Sequence, residues 1–297
     1  MGIGRSNNMS SAIINGKEIG QEIRKEVEGR VATLKTQGLT PGLAVILVGD
    51  NPASKTYVAN KQRSCEEIGM FSELIKLPAD ITEQALLEQI EDLNKRDDIH
   101  GILVQLPLPK TINEDAVIAT ISPEKDVDGF TPISVGKMML GQDTYLPCTP
   151  FGVMKLLEHS GIEVAGKHAV IVGRSHIVGK PMGQLLLQKD ATVTYTHSKT
   201  KDLPSFTKQA DIIIAAVGRA KFITAEHVKP GAVVIDVGIN RDENNKLCGD
   251  VDFASVDGIA SHITPVPGGV GPMTITMLLE NTVQAAEKTL NNAAQVN

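Results

Sequence analysis

Residues 168–183 read His168-Ala169-Val170-Ile171-Val172-Gly173-Arg174-Ser175-His176-Ile177-Val178-Gly179-Lys180-Pro181-Met182-Gly183. The apolar run at its start predicts a buried strand, and the run from Gly179 predicts a helix. Small residues between a strand and a helix let backbone N–H groups and the helix dipole approach phosphates. The spacing departs from the usual GxGxxG pattern, because Ser175 stands at the position of the second glycine. The stretch therefore predicts a nucleotide site at a strand-to-helix turn.

Three further apolar runs follow this stretch and predict strands: 192–196, 211–217 and 232–238. Each is followed by a turn or a short helical segment. Four strands in this alternation are typical of a dinucleotide-binding layer.

Arg174 and Ser198 bear on which dinucleotide binds. The second strand ends in Thr196-His197-Ser198-Lys199, without the acidic residue that would bind a ribose 2′-hydroxyl. A guanidinium pairs well with phosphate oxygens, so Arg174 with Ser198 favours the 2′-phosphate of NADP over NAD. The alternative is a surface arginine and a serine that caps a helix.

Asn51-Pro52-Ala53-Ser54-Lys55-Thr56-Tyr57-Val58-Ala59-Asn60-Lys61 follows the apolar run 43–48. Asn51 suits an N-cap and Pro52 a first helical position, so a helix is predicted to begin there. Tyr57 and Lys61 then share one helical face near the carboxyl end of a strand, where open α/β sheets bind ligands. They can orient a planar substrate and move a proton. The alternative is a half-buried tyrosine beside a lysine that faces solvent.

Strands are also predicted at 72–77 and 101–106, with helices between them, so the first part of the chain is a mostly parallel α/β layer. Gln105, at a strand end, could bind a substrate carbonyl or Lys61, or only loop backbone. Asp128 could bind an amino-pyrimidine edge, or belong to an ordinary turn. The glycine-rich and proline-rich run 265–272 could pack on a ligand, or be a flexible turn.

Composition narrows the function classes. The chain of 297 residues has net charge −6 and no tryptophan, which argues against nucleic-acid and anionic-membrane surfaces. Cys65, Cys148 and Cys248 lie far apart and indicate reduced thiols, and no histidine or carboxylate spacing suggests a metal. No run resembles a signal peptide or a membrane span, so a cytoplasmic location is expected. We expect residues 1–8 to be a disordered leader.

Five motifs together resemble one family in order and spacing. They are Tyr57-Val58-Ala59-Asn60-Lys61, Val104-Gln105-Leu106-Pro107-Leu108, Lys125-Asp126-Val127-Asp128-Gly129, the run 173–181, and Pro265-Val266-Pro267-Gly268-Gly269-Val270-Gly271-Pro272-Met273-Thr274. The chain from Met9 onward resembles the bifunctional methylenetetrahydrofolate dehydrogenases/methenyltetrahydrofolate cyclohydrolases. We find no departure at the positions that this family uses for chemistry.

The resemblance implies an α/β fold of two domains with the active site in the cleft between them. Residues 9–149, rejoined by a C-terminal helix at 273–297, would form a folate-binding catalytic domain. Residues 150–272 would form a Rossmann-like NADP-binding domain. The family usually forms homodimers through the cofactor domain, so a homodimer is expected.

The resemblance also implies residue roles. Lys61 would be the catalytic lysine, Tyr57 would orient the folate, Gln105 would assist Lys61, and Asp128 would anchor the pterin. Further substrate contacts would come from Val104, Leu106, Pro267, Gly268, Gly269, Pro272 and Thr274. The cofactor would be bound by Gly173, Arg174, Ser175, Ser198 and Ile239.

The implied activity is oxidation of methylene-tetrahydrofolate with NADP⁺, followed by hydrolysis of the methenyl product to formyl-tetrahydrofolate. Two alternatives remain at this point. One is an enzyme that has only the dehydrogenase activity. The other is a non-catalytic nucleotide-binding protein on the same fold, since such sheets host many functions.

Overall fold

A computed structural model describes residues 10–296, with side chains to residue 292. The expected leader at 1–8 lies outside the described residues. The strands are β1 (Ala12–Ile13), β2 (Gly42–Val48), β3 (Phe71–Leu77), β4 (Gly101–Val104), β5 (His168–Val172), β6 (Thr192–Thr196), β7 (Ile212–Ala215), β8 (Val233–Asp236), β9 (Asn240–Arg241), β10 (Leu247–Cys248) and β11 (His262–Ile263). The helices are α1 (Gly16–Thr36), α2 (Pro52–Glu67), α3 (Glu83–Asn94), α4 (Glu114–Thr120), α5 (Pro132–Met139), α6 (Cys148–His159), α7 (Gly179–Leu187), α8 (Leu203–Thr207), α9 (Phe253–Val256) and α10 (Val270–Val296).

The chain forms two compact units. The first, called here the six-stranded unit, comprises the residues up to Ile19 and Thr149–Thr274. Its sheet has the order β1-β11-β8-β7-β5-β6, and every neighbouring pair is parallel. The core is formed by buried residues of β5, β7 and β8, whose apolar runs are buried on both faces as expected for a covered parallel sheet.

The second, three-stranded unit comprises Gly20–Cys148 and the described residues from Ile275 onward. Its parallel sheet has the order β3-β2-β4, so β2 lies in the middle, and all seven of its residues are buried. The core joins β2 and β4 to α3 and α4. Within this unit Arg30 of α1 binds Glu280 and Glu287 of α10, which explains how a C-terminal helix joins the first part of the chain.

The first residues described depart from the expected domain boundary. We expected residues 9–149 in one domain, but the stretch through Ile19 belongs to the six-stranded unit. The cause is a short edge strand: Ala12 N donates to Ser261 O at 2.8 Å, and β1 pairs with β11. Two residues are too few to show the alternation of side chains that marks a strand in a sequence. Only the pairing with β11 shows that these residues belong to the six-stranded unit. Helix α5 was also not predicted.

Across residues 10–296 we find no helix with the length and apolar character needed to cross a membrane.

Candidate active site

Helix α2 positions two of the predicted site residues. Asn51 Oδ1 accepts hydrogen bonds from Ala53 N at 3.0 Å and Ser54 N at 3.1 Å, and Pro52 opens the helix. This start, at the carboxyl end of β2, places Tyr57 and Lys61 one turn apart on the same face. The Tyr57 side chain is exposed and Lys61 is half-buried.

Lys61 and Gln105 form a direct pair within the three-stranded unit. Lys61 Nζ donates to Gln105 Oε1 at 3.0 Å. Gln105 Nε2 donates to Leu106 O at 2.8 Å, and its backbone N–H donates to Ile46 O at 2.9 Å. These bonds fix both the backbone and the amide orientation, so the amide oxygen is the atom presented to Lys61.

Asp128 lies close enough to this pair to interact with it electrostatically. Burial raises the pKa of the Asp128 carboxyl, the positive charge of Lys61 opposes that rise, and Asp126 adds to it. Cys148 Sγ lies 3.6 Å from Asp128 Oδ1 and 3.4 Å from Val127 O. The structure therefore pairs Lys61 with Gln105, and the charge of Lys61 acts on the Asp128 carboxyl.

A buried thiol and a buried amide next to Asp128 were not foreseen. Burial, and then the charge of Asp128, raises the pKa of Cys148 well above its usual value. Asn281 Nδ2 donates to Val127 O at 2.8 Å and Leu146 O at 3.0 Å. Asn281 therefore joins the residue before Asp128 to the segment at Leu146, and nothing local in the sequence signals this contact.

The other predicted substrate residues have varied surroundings. The side chains of Val104 and Leu106 pack into the core of the three-stranded unit, so Gln105 is the polar group at this strand end. The glycine-proline run belongs to the six-stranded unit. There Pro267 is exposed, Gly268 O accepts from Lys17 N at 3.1 Å, and Thr274 Oγ1 lies 2.9 Å from Thr149 Oγ1. Buried Gly269 and partly buried Pro272 complete the set.

The turn between β5 and α7 lies in close contact with the backbone that follows β7. Gly173 has a φ of +132°, and a Cβ there would lie 2.1 Å from Ala216 O. Only glycine fits this conformation and this contact. Ser175 Oγ accepts from Val178 N and Gly179 N, each at 3.2 Å, so the serine that replaces the second glycine binds the backbone N–H of the first helical residue and of the residue before it.

A cavity of about 410 Å³ opens at the carboxyl ends of β5, β6 and β7. Its wall contains four of the predicted cofactor residues, Gly173, Arg174, Ser175 and Ser198. Ile239 is not among the described residues of that wall, and this residue is 52% exposed. The sequence did not single out the remaining lining residues: Val172, His197, Thr200, Leu203, Ala216, Val217, Arg219 and Phe222.

A buried carboxylate organises the segment after β7. Asp250 accepts hydrogen bonds from three consecutive backbone N–H groups, those of residues 217, 218 and 219, at 2.6, 3.0 and 2.8 Å. Asn240 Nδ2 donates to the same carboxylate at 2.8 Å. Strand ends of a parallel sheet meet at one edge, so the residues after β7 could have been expected near Gly173. The contribution of Asp250, more than thirty residues away, could not.

A parallel sheet with a glycine turn, a helix N-terminus and a cavity at its carboxyl edge defines an α/β protein of the dinucleotide-binding class. The Lys61–Gln105 pair adds an acid–base group of the kind that enzymes use.

Comparison with known proteins gives the family. Residues 14–128 match the catalytic domain, and residues 147–290 the NAD(P)-binding domain, of the tetrahydrofolate dehydrogenase/cyclohydrolase family. The chain is 83% identical over 284 residues to the bifunctional protein FolD of Lysinibacillus sphaericus, covering 96% of this chain and 100% of the relative. The chain belongs to the tetrahydrofolate dehydrogenase/cyclohydrolase family, which confirms the resemblance seen in its motifs.

Solved structures agree. The bifunctional FolD enzyme of Campylobacter jejuni is 52% identical, with a TM-score of 0.93 over 94% of this chain and 99% of that one. The FolD of Trypanosoma brucei, complexed with NADP cofactor and inhibitor, is 38% identical, with a TM-score of 0.91 over 95% of this chain and 99% of that one. The expected two-domain α/β fold with a catalytic and an NAD(P)-binding domain is thereby confirmed.

Proposed function

We propose that this protein is a bifunctional enzyme of folate one-carbon metabolism. It oxidises methylene-tetrahydrofolate to methenyl-tetrahydrofolate with NADP⁺, and it hydrolyses the methenyl product to formyl-tetrahydrofolate. The observation that carries the proposal is the 3.0 Å bond between Lys61 Nζ and Gln105 Oε1 in a chain of this family.

Hydrolysis needs a group that first takes a proton from water and then gives one to the leaving nitrogen. Lys61 can take the first proton only in its neutral form. Gln105 Oε1 accepts from the Lys61 amine and thereby holds it in one place, while the lone pair of the neutral amine stays available to water. Lys61 is thus the proton carrier, and Gln105 holds it in position.

Asp128 and Tyr57 are proposed to position the folate. A carboxyl group matches the amino-pyrimidine edge of a pterin with two hydrogen bonds. The Asp128 carboxyl is held by a turn whose backbone Asn281 and Cys148 contact, so its direction is preset. The exposed ring of Tyr57 presents a flat surface one turn before Lys61, which suits stacking on the substrate.

The cavity beside Gly173 fits a dinucleotide. The missing side chain at Gly173 lets the turn pass directly against Ala216 O, and Arg174 and Arg219 supply positive charge at the cavity wall. When bound, the nicotinamide accepts a hydride from the folate. This transfer needs no acid or base, so the protein contributes mainly by holding two planar reactants in contact.

We expect Arg174→Ala to raise the Michaelis constant for NADP⁺ about 30-fold and that for NAD⁺ much less. The reason is that a hydrogen-bonded charge on the 2′-phosphate is lost, which corresponds to roughly 2 kcal/mol. Steady-state kinetics with both cofactors measures the ratio. Equal increases in the Michaelis constants for the two cofactors would show that Arg174 does not bind the 2′-phosphate.

A coupled spectroscopic assay tests the whole proposal. Methylene-tetrahydrofolate is supplied with NADP⁺ or NAD⁺, while NADPH absorbance and the methenyl chromophore are followed together. NADPH formation with only transient methenyl accumulation, compared with hydrolysis without enzyme, supports both activities. Stable accumulation of methenyl product would leave a dehydrogenase alone. No reduction of either cofactor would contradict an enzymatic role.

We further propose that the protein is a cytoplasmic homodimer that associates through the six-stranded unit. Strand β6 is at one edge of the sheet, and Tyr195 of β6 and Leu187 of α7 are exposed there. An edge strand with exposed apolar side chains is suited to pairing with a second copy. Light scattering during size-exclusion chromatography should give twice the 31.7 kDa chain mass, and a single-chain mass would contradict the dimer.

A further inference from the structure

Arg219 and Phe222 form one wall of the cavity beside Gly173. The Arg219 guanidinium carbon lies over the Phe222 ring, 4.4 Å from its centroid, within the range of a cation–π contact. In the part of the chain that the structure describes, this guanidinium forms no ion pair. The charge is therefore held by an aromatic ring and not by a carboxylate.

The backbone beneath this pair is fixed. Asp250 accepts from Arg219 N at 2.8 Å and from the two preceding N–H groups. Asp236 in turn accepts from Asp250 N and Val251 N, each at 2.9 Å, which fixes the segment that carries Asp250. Because the backbone of this loop is already fixed by hydrogen bonds, its side chains lose less conformational entropy when they bind a ligand.

The surroundings of Arg219 suit a base better than a phosphate. Leu203, Val217 and Phe222 give this part of the cavity an apolar lining. The Gly173–Ser175 turn leads towards the N-terminus of α7 at Gly179, and phosphates are favoured at a helix N-terminus. A planar guanidinium backed by a phenyl ring offers a flat, weakly hydrated surface of the kind on which a purine stacks.

We infer that Arg219, supported by Phe222, is the platform on which the adenine ring of the dinucleotide stacks. The inference rests on the proposed dinucleotide cofactor and extends it to the adenine end, for which no residue was predicted. Arg174 and Arg219 then have separable roles, since the first binds the 2′-phosphate and the second binds the base.

Two small probes separate these roles in calorimetric titrations of the full-length protein. Both 5′-AMP and 2′,5′-ADP contain adenine, but only the second contains a 2′-phosphate. Arg219→Ala is expected to weaken the binding of both about tenfold and to leave the ratio of their affinities unchanged. Arg219→Lys keeps the charge without the plane and should lose nearly as much. Arg174→Ala should instead weaken 2′,5′-ADP alone.

Arg241→Ala is the matched control, because Arg241 is an exposed arginine of the same unit whose guanidinium donates to Asn245 O. It should change neither affinity. Loss of 2′,5′-ADP binding alone in Arg219→Ala, or full affinity in Arg219→Lys, would overturn the stacking role. Unchanged binding of both probes in Arg219→Ala would overturn it too, while the cofactor proposal stands. Wild-type protein that binds neither probe would overturn both.

Discussion

Lys61→Met should lower the rate of hydrolysis of the methenyl substrate about a thousandfold or more. The rate of hydride transfer should stay measurable. Proton transfer by a positioned group contributes roughly 10²–10⁴-fold to a rate, and methionine removes the group while keeping an unbranched side chain of similar length. The dehydrogenase step needs no proton carrier. Separate assays of NADPH formation and of methenyl decay measure the two effects.

Lys55→Met is the control for that experiment. Lys55 is on the same helix, is exposed, and forms an ion pair with Asp50 at 2.6 Å. The same chemical change there should leave both activities as they are. If Lys61→Met reduced the two activities equally, Lys61 would mainly build the folate site, and the proton-carrying role would have to be abandoned.

Asp250→Ala should lower the melting temperature of the six-stranded unit by several degrees and weaken dinucleotide binding. The substitution leaves three backbone N–H groups and the Asn240 amide without their acceptor in a buried place. An unpaired buried donor is expensive, so a loss of about 3 kcal/mol is expected. Scanning calorimetry with and without 2′,5′-ADP measures both effects.

Asp250→Asn separates shape from hydrogen bonding. The asparagine amide has the same shape as the carboxylate, but only its oxygen accepts hydrogen bonds. Its NH2 group would therefore face N–H groups that also donate. We expect a melting temperature between those of the wild type and the alanine variant. An asparagine variant as stable as the wild type would show that the carboxylate charge and its second oxygen contribute little.

The sequence predicted those parts of the site that depend on local rules. Asn51 and Pro52 mark the start of α2 because capping and proline geometry involve only neighbouring residues. The meeting of Lys61 with Gln105, 44 positions later, follows from the alignment of parallel strand ends at one sheet edge. The five motifs then gave the family, which the comparisons confirm.

Contacts that join distant segments could not be predicted in this way. Nothing near Asp250 in the sequence indicates that its carboxylate accepts hydrogen bonds from the backbone N–H groups after β7. The strand at Ala12–Ile13 is too short for a period, and its partner β11 comes some 250 residues later. The stacking of Arg219 on Phe222 is a side-chain arrangement that strand order alone does not determine.

The division of each unit between separate chain segments has a consequence for synthesis on the ribosome. Residues 20–148 emerge early, but their unit also needs the segment from Ile275 onward. That segment supplies buried Met277, Leu279 and Val283 and the amide of Asn281 that reaches Val127 O. The whole Thr149–Thr274 segment must therefore be translated before residues 20–148 can finish folding. Residues 20–148 are therefore translated early, but the unit to which they belong is the last to be completed.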